Sequence, residues 1–343
     1  MHLYTTYDSI VMLVRIVGMM FVYNEADIVG QVIDHLFSQG VELVVVDNGS
    51  KDGSFEIIKA RIGNGILSVK RMESEKFDAM PMVRLLHAMA IEYSPNWMLL
   101  TGADEFLESP YRGVTLSRAI QLEGERGYNM IQFNNFEFFP TEKDHDSKEV
   151  DVRKRLRYYS WHDDDQFRCW RMYAGMPLFQ IHGHHPKLPG EVDTKISPNK
   201  FILRHYKIRS YEHGLRKVFS ERLPRYSVEE RKRGNVQYDN FGTDRSYFII
   251  DSSRLTKYDE DGNWNLAKTF DGSFGTWNPP SSSEKISYLQ DHIDQLRNHI
   301  SQLENHIDQL ENSLSLRIGR KIPLGRQIRK MLYPNDERNR EGS

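Results

Sequence analysis

The clearest indication of the fold is the segment Leu43-Val-Val-Val-Asp-Asn-Gly-Ser-Lys-Asp-Gly-Ser54. Its first four residues form a continuous apolar run, which is typical of a central strand in a parallel sheet. The polar, glycine-bearing loop 47–54 follows at once, and 55–62 returns to a helical pattern. A strand, a polar loop and a helix in this order indicate one βα unit of an α/β protein.

The same alternation extends on both sides of this unit. Strands are predicted at 15–23, 66–71 and 97–101, and further helices at 28–37 and 82–93. A separate strand is predicted at 128–139, in the second half of the domain. A βαβαβαβ order implies parallel strands that are joined by right-handed crossover helices. We therefore expect an α/β domain with a Rossmann-like, mostly parallel central sheet flanked by helices.

Length and composition exclude several classes of protein. The chain has 343 residues, 39% hydrophobic and 27% charged, so it can bury a large core and is not wholly disordered. Its formal net charge of -2 argues against a basic nucleic-acid-binding protein. The single cysteine, Cys169, cannot form an internal disulfide, which favours a reducing, cytoplasmic location. No stretch reaches the roughly 20 apolar residues that span a bilayer.

Polar side chains follow three of the predicted strands, where each strand ends. They are Asn24-Glu25, the loop 47–54 and Gly102-Ala-Asp-Glu105. Each alone has a simple structural explanation, as a helix cap, a turn or an ion pair. Because ligands of parallel sheets bind beyond the carboxyl ends of the strands, we expect the three to converge there. Clustered carboxylates at such an edge can hold a divalent cation, which in turn binds a diphosphate.

The glycine-rich signatures of other nucleotide-binding classes are missing from the sequence. The absence of G-x-G-x-x-G argues against a dinucleotide dehydrogenase, and that of G-x-x-x-x-G-K-[ST] against a P-loop enzyme. A nucleotidyltransferase usually carries a glycine-rich basic loop after its first strand, where this chain has Asn24-Glu25. These differences leave a carboxylate-based site as the better prediction.

Three ordered motifs resemble the family 2 glycosyltransferases of GT-A fold. They are Val22-Tyr-Asn-Glu25, Val45-Val-Asp-Asn-Gly-Ser-Lys-Asp-Gly-Ser54 and Trp97-Met-Leu-Leu-Thr-Gly-Ala-Asp-Glu-Phe106. The third motif ends in Asp-Glu-Phe, which is similar to one branch of that family. The resemblance covers residues 14–140 well and 161–220 more loosely.

The resemblance implies an inverting transfer of a sugar from a nucleotide-diphosphate sugar to an acceptor hydroxyl. We expect this hydroxyl on a glycan or glycolipid at the inner membrane face, where the basic tail 315–343 would have a role. Glu25 and Asp47 match positions that contact the nucleotide, and Asp104 matches the last aspartate of a metal-binding D-x-D motif. Gly102 replaces the first aspartate of that motif, which keeps open an inactive binding or scaffold protein of the same fold. The residues predicted to bind the nucleotide sugar are Asn24, Glu25, Asp47, Asn48, Ser50, Asp52 and Asp104.

A divalent ion, Mn²⁺ or Mg²⁺, is the cofactor that the resemblance implies. With Gly102 in place of an acid, an extra ligand is useful, and in this fold a late histidine can complete the metal site. His182 and His205 are the candidates beside Asp104, since histidine is a reasonable Mn²⁺ ligand. The alternative is that these histidines cap turns and bond to the backbone.

An inverting transfer also needs a general base near the acceptor hydroxyl, and a carboxylate is the usual choice. Within the acidic run 163–165, which aromatic residues flank, Asp164 or Asp165 is the predicted base. An acidic surface loop is the alternative. Four basic residues on a predicted helix either neutralise the departing diphosphate or face solvent: Lys207, Arg209, Arg216 and Lys217.

The last part of the chain has a different organisation. Residues 286–314 carry apolar a and d positions over four heptads, which predicts a coiled-coil homodimer. A Pro/Ser linker, 277–285, separates this segment from the predicted catalytic domain, 1–276. The tail 315–343 holds eight Lys/Arg against three Asp/Glu and can lie on an anionic membrane surface. We therefore expect a cytoplasmic oligomer, peripheral at the inner membrane face.

Overall fold

The computed structural model describes residues 14–73, 75–144, 149–173, 186, 188, 189, 192–228, 238, 241–259 and 263–266. The side chains of Asp163 and Asp165 are not described, so the side chain of the candidate base Asp165 lies outside the described part of the structure. The chain divides into two units, Met1–Gly275 and Thr276–Ser343, and all described residues belong to the first. The predicted linker, coiled coil, basic tail and His182 therefore lie outside the described residues. Within the described part, no helix is long and apolar enough to cross a membrane.

The first half of the sheet follows the predicted alternation of strands and helices. Its four strands are β1 (Ile16–Val22), β2 (Glu42–Asp47), β3 (Ile66–Arg71) and β4 (Trp97–Gly102). The helices between them are α1 (Val29–Ser38), α2 (Ser54–Lys59) and α3 (Ala79–Ile91). The strands lie in the order β3-β2-β1-β4 and all pair in parallel, which confirms the predicted βαβαβαβ arrangement.

The second half adds five strands and three helices to the same sheet. They are β5 (Glu105–Glu108), α4 (Leu116–Glu125), β6 (Met130–Phe139), α5 (Val152–Arg155), β7 (Tyr158–Arg171), β8 (Phe201–His205), α6 (Tyr211–Leu215) and β9 (Thr256–Lys257). The sheet continues from β4 in the order β7-β6-β8-β5, and β9 pairs with β7. Strand β7 runs antiparallel to β4 and β6, and β5 runs antiparallel to β8, whereas β6 and β8 are parallel.

The expectation of a mostly parallel sheet is therefore wrong for this second half. Parallel neighbours need a crossover of a dozen or more residues, usually a helix. Between β6 and β7 the described chain forms one helix, α5, of only four residues, and the two strands pair antiparallel. The acidic run 163–165 lies within β7 and is therefore not a loop, although Asp164 lies at the surface.

Two apolar layers hold the helices against the sheet. Alternate residues of a strand point to opposite faces, so Leu43 and Val45 pack in one layer while Val44 and Val46 pack in the other. All four side chains are fully buried. A strand that is covered on both faces needs apolar residues at every position, which explains the continuous apolar run in the sequence.

Candidate functional site

The carboxyl ends of β1, β2 and β4 lie side by side. The strand register places Asp47 beside Val22, and Gly102 beside Phe21. The polar residues that follow these strands therefore start from one edge of the sheet. This geometry is the convergence that the sequence predicts.

Asp47 is fully buried at the end of β2. Its Oδ2 accepts backbone hydrogen bonds from Gly49 (3.2 Å) and Ser50 (3.1 Å), and Arg71 Nε lies 3.6 Å from the same oxygen. Its Oδ1 has no partner among the described residues, and neither has Nδ2 of the buried Asn48. Because buried polar atoms normally have partners, this acceptor and this donor mark a place where a ligand can bind.

Ser50 and Asp52, also predicted to bind the nucleotide, form hydrogen bonds that link the loop 47–54 to the turn after β1. Ser50 Oγ accepts a hydrogen bond from the backbone N–H of Asn24 at 3.0 Å. Asp52 Oδ2 accepts one from the backbone N–H of Ala26 at 2.9 Å. In this structure Ser50 and Asp52 support the loops around the site.

Asn24 does not cap a helix. Helix α1 begins only at Val29, and Asn24 has a left-handed backbone with φ of 53°. Its Oδ1 accepts a hydrogen bond from the backbone N–H of Lys51 at 2.8 Å, and its Nδ2 donates one to Glu221 Oε1 at 2.9 Å. Asparagine visits this backbone region more readily than most residues. It fixes a sharp turn after β1 and links it to a distant segment.

Two buried cations lie between the carboxylates of the strand ends. Lys217 Nζ lies 2.8 Å from Glu25 Oε1 and 2.8 Å from Asp104 Oδ2. Arg209 Nη2 lies 2.6 Å from Glu25 Oε2, and the same guanidinium makes two contacts of 2.7 Å with Asp27. The Lys217 and Arg209 side chains are 2% and 1% exposed. Burial on this scale makes the loss of either partner costly.

These cations come from the segment that follows β8. The sequence predicted one helix here, and that prediction is wrong: Lys207 and Arg209 precede α6, and Arg216–Arg222 forms a π-helical segment. Lys217 and Glu221 of this segment are buried. Single π-helical turns occur frequently at functional sites. Here the turn brings one cation to Asp104 and one carboxylate to Asn24.

Asp104 and His205 lie close together, as the predicted metal site requires. His205 Nε2 is 3.6 Å from Asp104 Oδ1. Burial would raise the pKa of Asp104, but Lys217 and His205 outweigh it and hold that pKa well below its usual range. The ionised carboxylate is nevertheless held by Lys217 through Oδ2, and Gly102 supplies no second acid. A divalent ion would have to displace the ammonium, so the described residues do not fit the predicted Mn²⁺ or Mg²⁺ site.

A second group of metal-binding residue types, Glu25, Asp27 and His213, has ligand atoms within 4.8 Å of one another. Arg209 contacts all three, since its Nη2 lies 2.6 Å from Glu25 Oε2, 2.7 Å from Asp27 Oδ1 and 2.7 Å from His213 Nε2. Burial and the neighbouring Arg209 hold the pKa of His213 well below its usual value. A guanidinium thus supplies the positive charge that this acidic group needs.

Asp164 lies on β7 at the end of a row of hydrogen-bonded side chains. It is exposed, and its Oδ2 accepts hydrogen bonds from Asn135 Nδ2 (3.2 Å) and from Gln166 Nε2. Gln166 Oε1 accepts from Arg168 Nε at 2.7 Å, and Arg168 Nη2 donates to Glu105 Oε1 at 2.8 Å. The row connects the candidate base to β5, the strand that begins directly after Asp104.

Glu137 is a buried carboxylate that was not predicted as a site residue. Its Oε1 lies 3.1 Å from Lys207 Nζ, and its Oε2 lies 3.7 Å from His162 Nε2. Burial would raise the pKa of Glu137, but Lys207, His162 and His205 outweigh it and lower that pKa to about 2. The sequence signal was a glutamate inside the aromatic run Phe136-Glu-Phe-Phe139, since glutamate is rarely buried unless paired.

The first strand and the loops of this site match a known family model. Residues 19–76 match the model of Glycosyl transferase family 2. The match begins inside β1 and ends before α3. It therefore includes Glu25 and Asp47 but not Asp104. No curated protein matches the chain.

Solved structures resemble the chain at low identity. The crystal structure of S. aureus TarS is 11% identical, with a TM-score of 0.33, and the match covers 70% of this chain and 44% of that one. Two structures of S. aureus TarS 1–349, the second in complex with UDP, are each 12% identical, with TM-scores of 0.32 and 0.31. They cover 68% and 65% of this chain and 72% and 69% of theirs. The chain thus spans less than half the length of the first structure.

Proposed function

We propose that the chain is a glycosyltransferase that moves a sugar from a nucleotide-diphosphate sugar to a hydroxyl of a glycan or glycolipid, with inversion. The observation that carries this proposal is Asp47, a fully buried carboxylate at the end of β2 whose Oδ1 has no partner among the described residues. Ligands of α/β sheets bind at this edge. Asp47 also lies inside the segment that matches the glycosyltransferase model.

Asp47 and Asn48 bind the base or the ribose of the donor. Asp47 Oδ1 is an acceptor and Asn48 Nδ2 is a donor, and both are buried without a partner in the described part of the chain. A nucleobase edge or a ribose offers both donors and acceptors, so its binding removes the cost of leaving these atoms unpaired. Asn24, Ser50 and Asp52 hold the two loops in place through their mutual hydrogen bonds.

Glu25 and Asp104 contribute by positioning the buried cations at the edge of the sheet. Each carboxylate lies 2.8 Å from Lys217 Nζ, and Glu25 also binds Arg209. The metal-assisted departure that the resemblance implies would use Asp104, His205 and His182 as ligands for Mn²⁺ or Mg²⁺. Because Lys217 already holds Asp104, no step of this proposal is assigned to a metal ion.

Asp164 or Asp165 removes the proton from the acceptor hydroxyl. Asp164 is exposed, and its hydrogen-bond partners Asn135 and Gln166 are neutral amides. A carboxylate that is held by amides rather than by a buried cation stays available to accept a proton. Trp161, half-buried on the same strand, offers an aromatic surface on which an acceptor sugar can stack.

The acceptor and the location belong to the same proposal. The basic tail 315–343 supports binding to an anionic membrane surface, where glycolipid acceptors lie. The heptads of 286–314 support a homodimer, and the presence of a single cysteine supports a cytoplasmic location. In this proposal the enzyme works as a dimer at the inner membrane face.

A second candidate is a catalytically inactive binding or scaffold protein with the same fold. Gly102 favours it, because the first acid of the D-x-D motif is missing there. A Cβ at this position would lie 3.0 Å from Asp104 Oδ1 and 3.1 Å from Glu105 Cδ, so a larger side chain fits only if these neighbours move. Such a protein would bind a nucleotide but release no product from a donor sugar.

Calorimetric titration of the full chain with UDP, GDP and dTDP tests the site. We expect at least one of them to bind, and Asp47→Asn to weaken that binding about tenfold or more through the lost charged acceptor. Asp34→Asn is the matched control, because Asp34 is 61% exposed in a surface ion pair on α1. Failure of all three nucleotides to bind the wild type would contradict the proposal.

A further inference from the structure

Lys217 lies where the charges of the site meet. Its ammonium is 2.8 Å from Glu25 Oε1 and 2.8 Å from Asp104 Oδ2, and its side chain is 2% exposed. These two carboxylates follow different strands, β1 and β4, so the ammonium links the two strand ends. A divalent ion would make the same link in a carboxylate site at this edge.

The charges around Lys217 are already balanced. Glu25, Asp27 and Asp104 contribute three negative charges, and Lys217, Arg209 and Arg222 contribute three positive charges in ion-pair contact with them. Two carboxylates that carry a divalent ion have the same net charge. An added ion would bring two further positive charges next to a buried ammonium and a buried guanidinium, which is unfavourable in a poorly solvated site.

The missing acid of the D-x-D motif fits the same arrangement. A Cβ on Gly102 would lie 3.0 Å from Asp104 Oδ1 and 3.1 Å from Glu105 Cδ, so a second carboxylate here requires these two side chains to shift. With one acid absent and the other bound to Lys217, the motif retains no free carboxylate for a metal ion. The missing carboxylate at position 102 and the ammonium of Lys217 therefore point the same way, since both leave the motif without a free ligand for a metal ion.

We infer that Lys217 replaces the divalent cation of this site, so that a nucleoside diphosphate is bound without a metal ion. This inference rests on the proposed function. Asp104 and the two side chains that contact the carboxylates from outside are partly open to solvent: Asp104 is 13% exposed, His205 20% and Arg222 19%. Arg222 Nη2 lies 3.6 Å from Glu25 Oε1 and is the most exposed of the cations that contact this carboxylate. A diphosphate bound there gains positive charge from Lys217 and Arg222.

Removing Lys217 should create the metal site that the wild type lacks. In Lys217→Ala, Glu25 Oε1 and Asp104 Oδ2 both lose the ammonium, and Asp104 retains His205 as a neighbour at 3.6 Å. Carboxylates together with an imidazole form a suitable ligand set for Mn²⁺. The variant should therefore bind the nucleotide only when Mn²⁺ is supplied.

The experiment is a calorimetric titration of the full chain with UDP, GDP and dTDP, first in excess EDTA and then in Mn²⁺. For the wild type we expect affinities that differ by less than about threefold between the two conditions. For Lys217→Ala we expect affinity at least about tenfold weaker in EDTA, and a recovery of similar size in Mn²⁺. Lys217→Arg keeps the charge and should bind without metal, and Lys257→Ala, on the exposed strand β9, should match the wild type.

Three results would overturn the inference. Wild-type binding that disappears in EDTA and returns with Mn²⁺ would show that a metal ion is needed, while the proposed function would stand. Equal binding by the wild type and Lys217→Ala in EDTA would show that Lys217 is not involved. No binding of any nucleotide by the wild type in either condition would overturn the proposed function as well. If Lys217→Ala does not fold, Lys217→Gln takes its place, because it removes the charge but keeps most of the side-chain volume, and it should show the same loss of affinity in EDTA.

Discussion

Lys217 Nζ lies 2.8 Å from Asp104 Oδ2, although 113 positions separate the two residues in the chain. The contact joins the π-helical segment after β8 to the turn after β4. Because the same ammonium also contacts Glu25, one side chain holds the ends of two parallel strands at a fixed separation. On this side of the candidate site, both carboxylates therefore already have a cationic partner.

Asp104→Asn should weaken the fold as well as the site. The substitution leaves Lys217 with one carboxylate partner, Glu25, in place of two, so we expect the free energy of unfolding to fall by about 1–3 kcal/mol. Urea unfolding of the purified variant measures this loss. Asp34→Asn, which breaks an exposed ion pair, should change the value by less than about 1 kcal/mol. Equal losses in the two variants would mean that the Lys217 contact adds no stability.

Two substitutions of Asn24 separate its hydrogen bonds from its backbone conformation. Asn24→Gly loses the contacts with Lys51 and Glu221 but tolerates the left-handed φ, so we expect a loss of about 1–3 kcal/mol. Asn24→Ala should lose about 1 kcal/mol more, because alanine is strained in that conformation. The check is the order of the two midpoints in urea unfolding. If Asn24→Ala were instead the more stable variant, the turn would have to adopt a different backbone conformation, and the prediction would be wrong.

Glu137 should make stability depend on pH in the acid range. Its pKa is lowered from 4.5 to about 2 by its cationic neighbours, with Lys207 foremost. The ion pair therefore stabilises the fold above about pH 4.5, and this stability is lost as the pH falls through about 2. A shift of this size in a buried group corresponds to about 3 kcal/mol.

The test compares the wild type with Glu137→Gln in urea unfolding between neutral pH and pH about 2.5. We expect the variant to be less stable at neutral pH, and the difference to shrink as the pH falls. Glu73→Gln is the control, because Glu73 is 84% exposed and should show little difference at any pH. A difference between wild type and Glu137→Gln that stays constant with pH would contradict the assignment.

Asp164→Asn should slow transfer without affecting the fold. A general base contributes about 10²–10⁴ to the rate, so kcat should fall by that factor while KM for the donor stays near its wild-type value. Because the Asp164 side chain is exposed, we expect its change in Tm to be no larger than that of Asp193→Asn, an exposed control on another segment. If Asp164→Asn is fully active and Asp165→Asn is not, Asp165 is the base. Full activity in both would exclude a base in this acidic run.

Local patterns predicted the elements of the first half of the fold. The apolar run at Leu43–Val46 lies in β2, and the polar residues after β1, β2 and β4 lie at one edge of the sheet. These predictions succeeded because a buried parallel strand has a local sequence pattern, an apolar run followed by polar residues, that fits within about ten residues. The second half lacks that signature, since antiparallel pairing of β7 between β4 and β6 depends on contacts between distant segments.

The ion pairs of the site could not be predicted from the sequence. Arg209 binds Glu25 across 184 positions, and nothing near either residue specifies the other. The sequence did identify Arg209 and Lys217 as basic residues that can neutralise a diphosphate. It did not reveal that both would be buried against Glu25 and Asp104, which were predicted to bind the nucleotide sugar, because burial of a charge depends on the whole fold.

Release of nucleoside diphosphate from UDP-, GDP- and dTDP-sugars, followed by NMR with the wild type and Asp104→Asn, tests glycosyl transfer most directly. Each reaction is run once with EDTA and once with Mn²⁺, so that activity is detected whether or not it requires a metal ion. We predict that the wild type releases the nucleotide from at least one donor. Asp104→Asn should be slower by about 100-fold or more, because the charges at the diphosphate are no longer held in place. No release from any donor, or equal release by both proteins, would contradict the account.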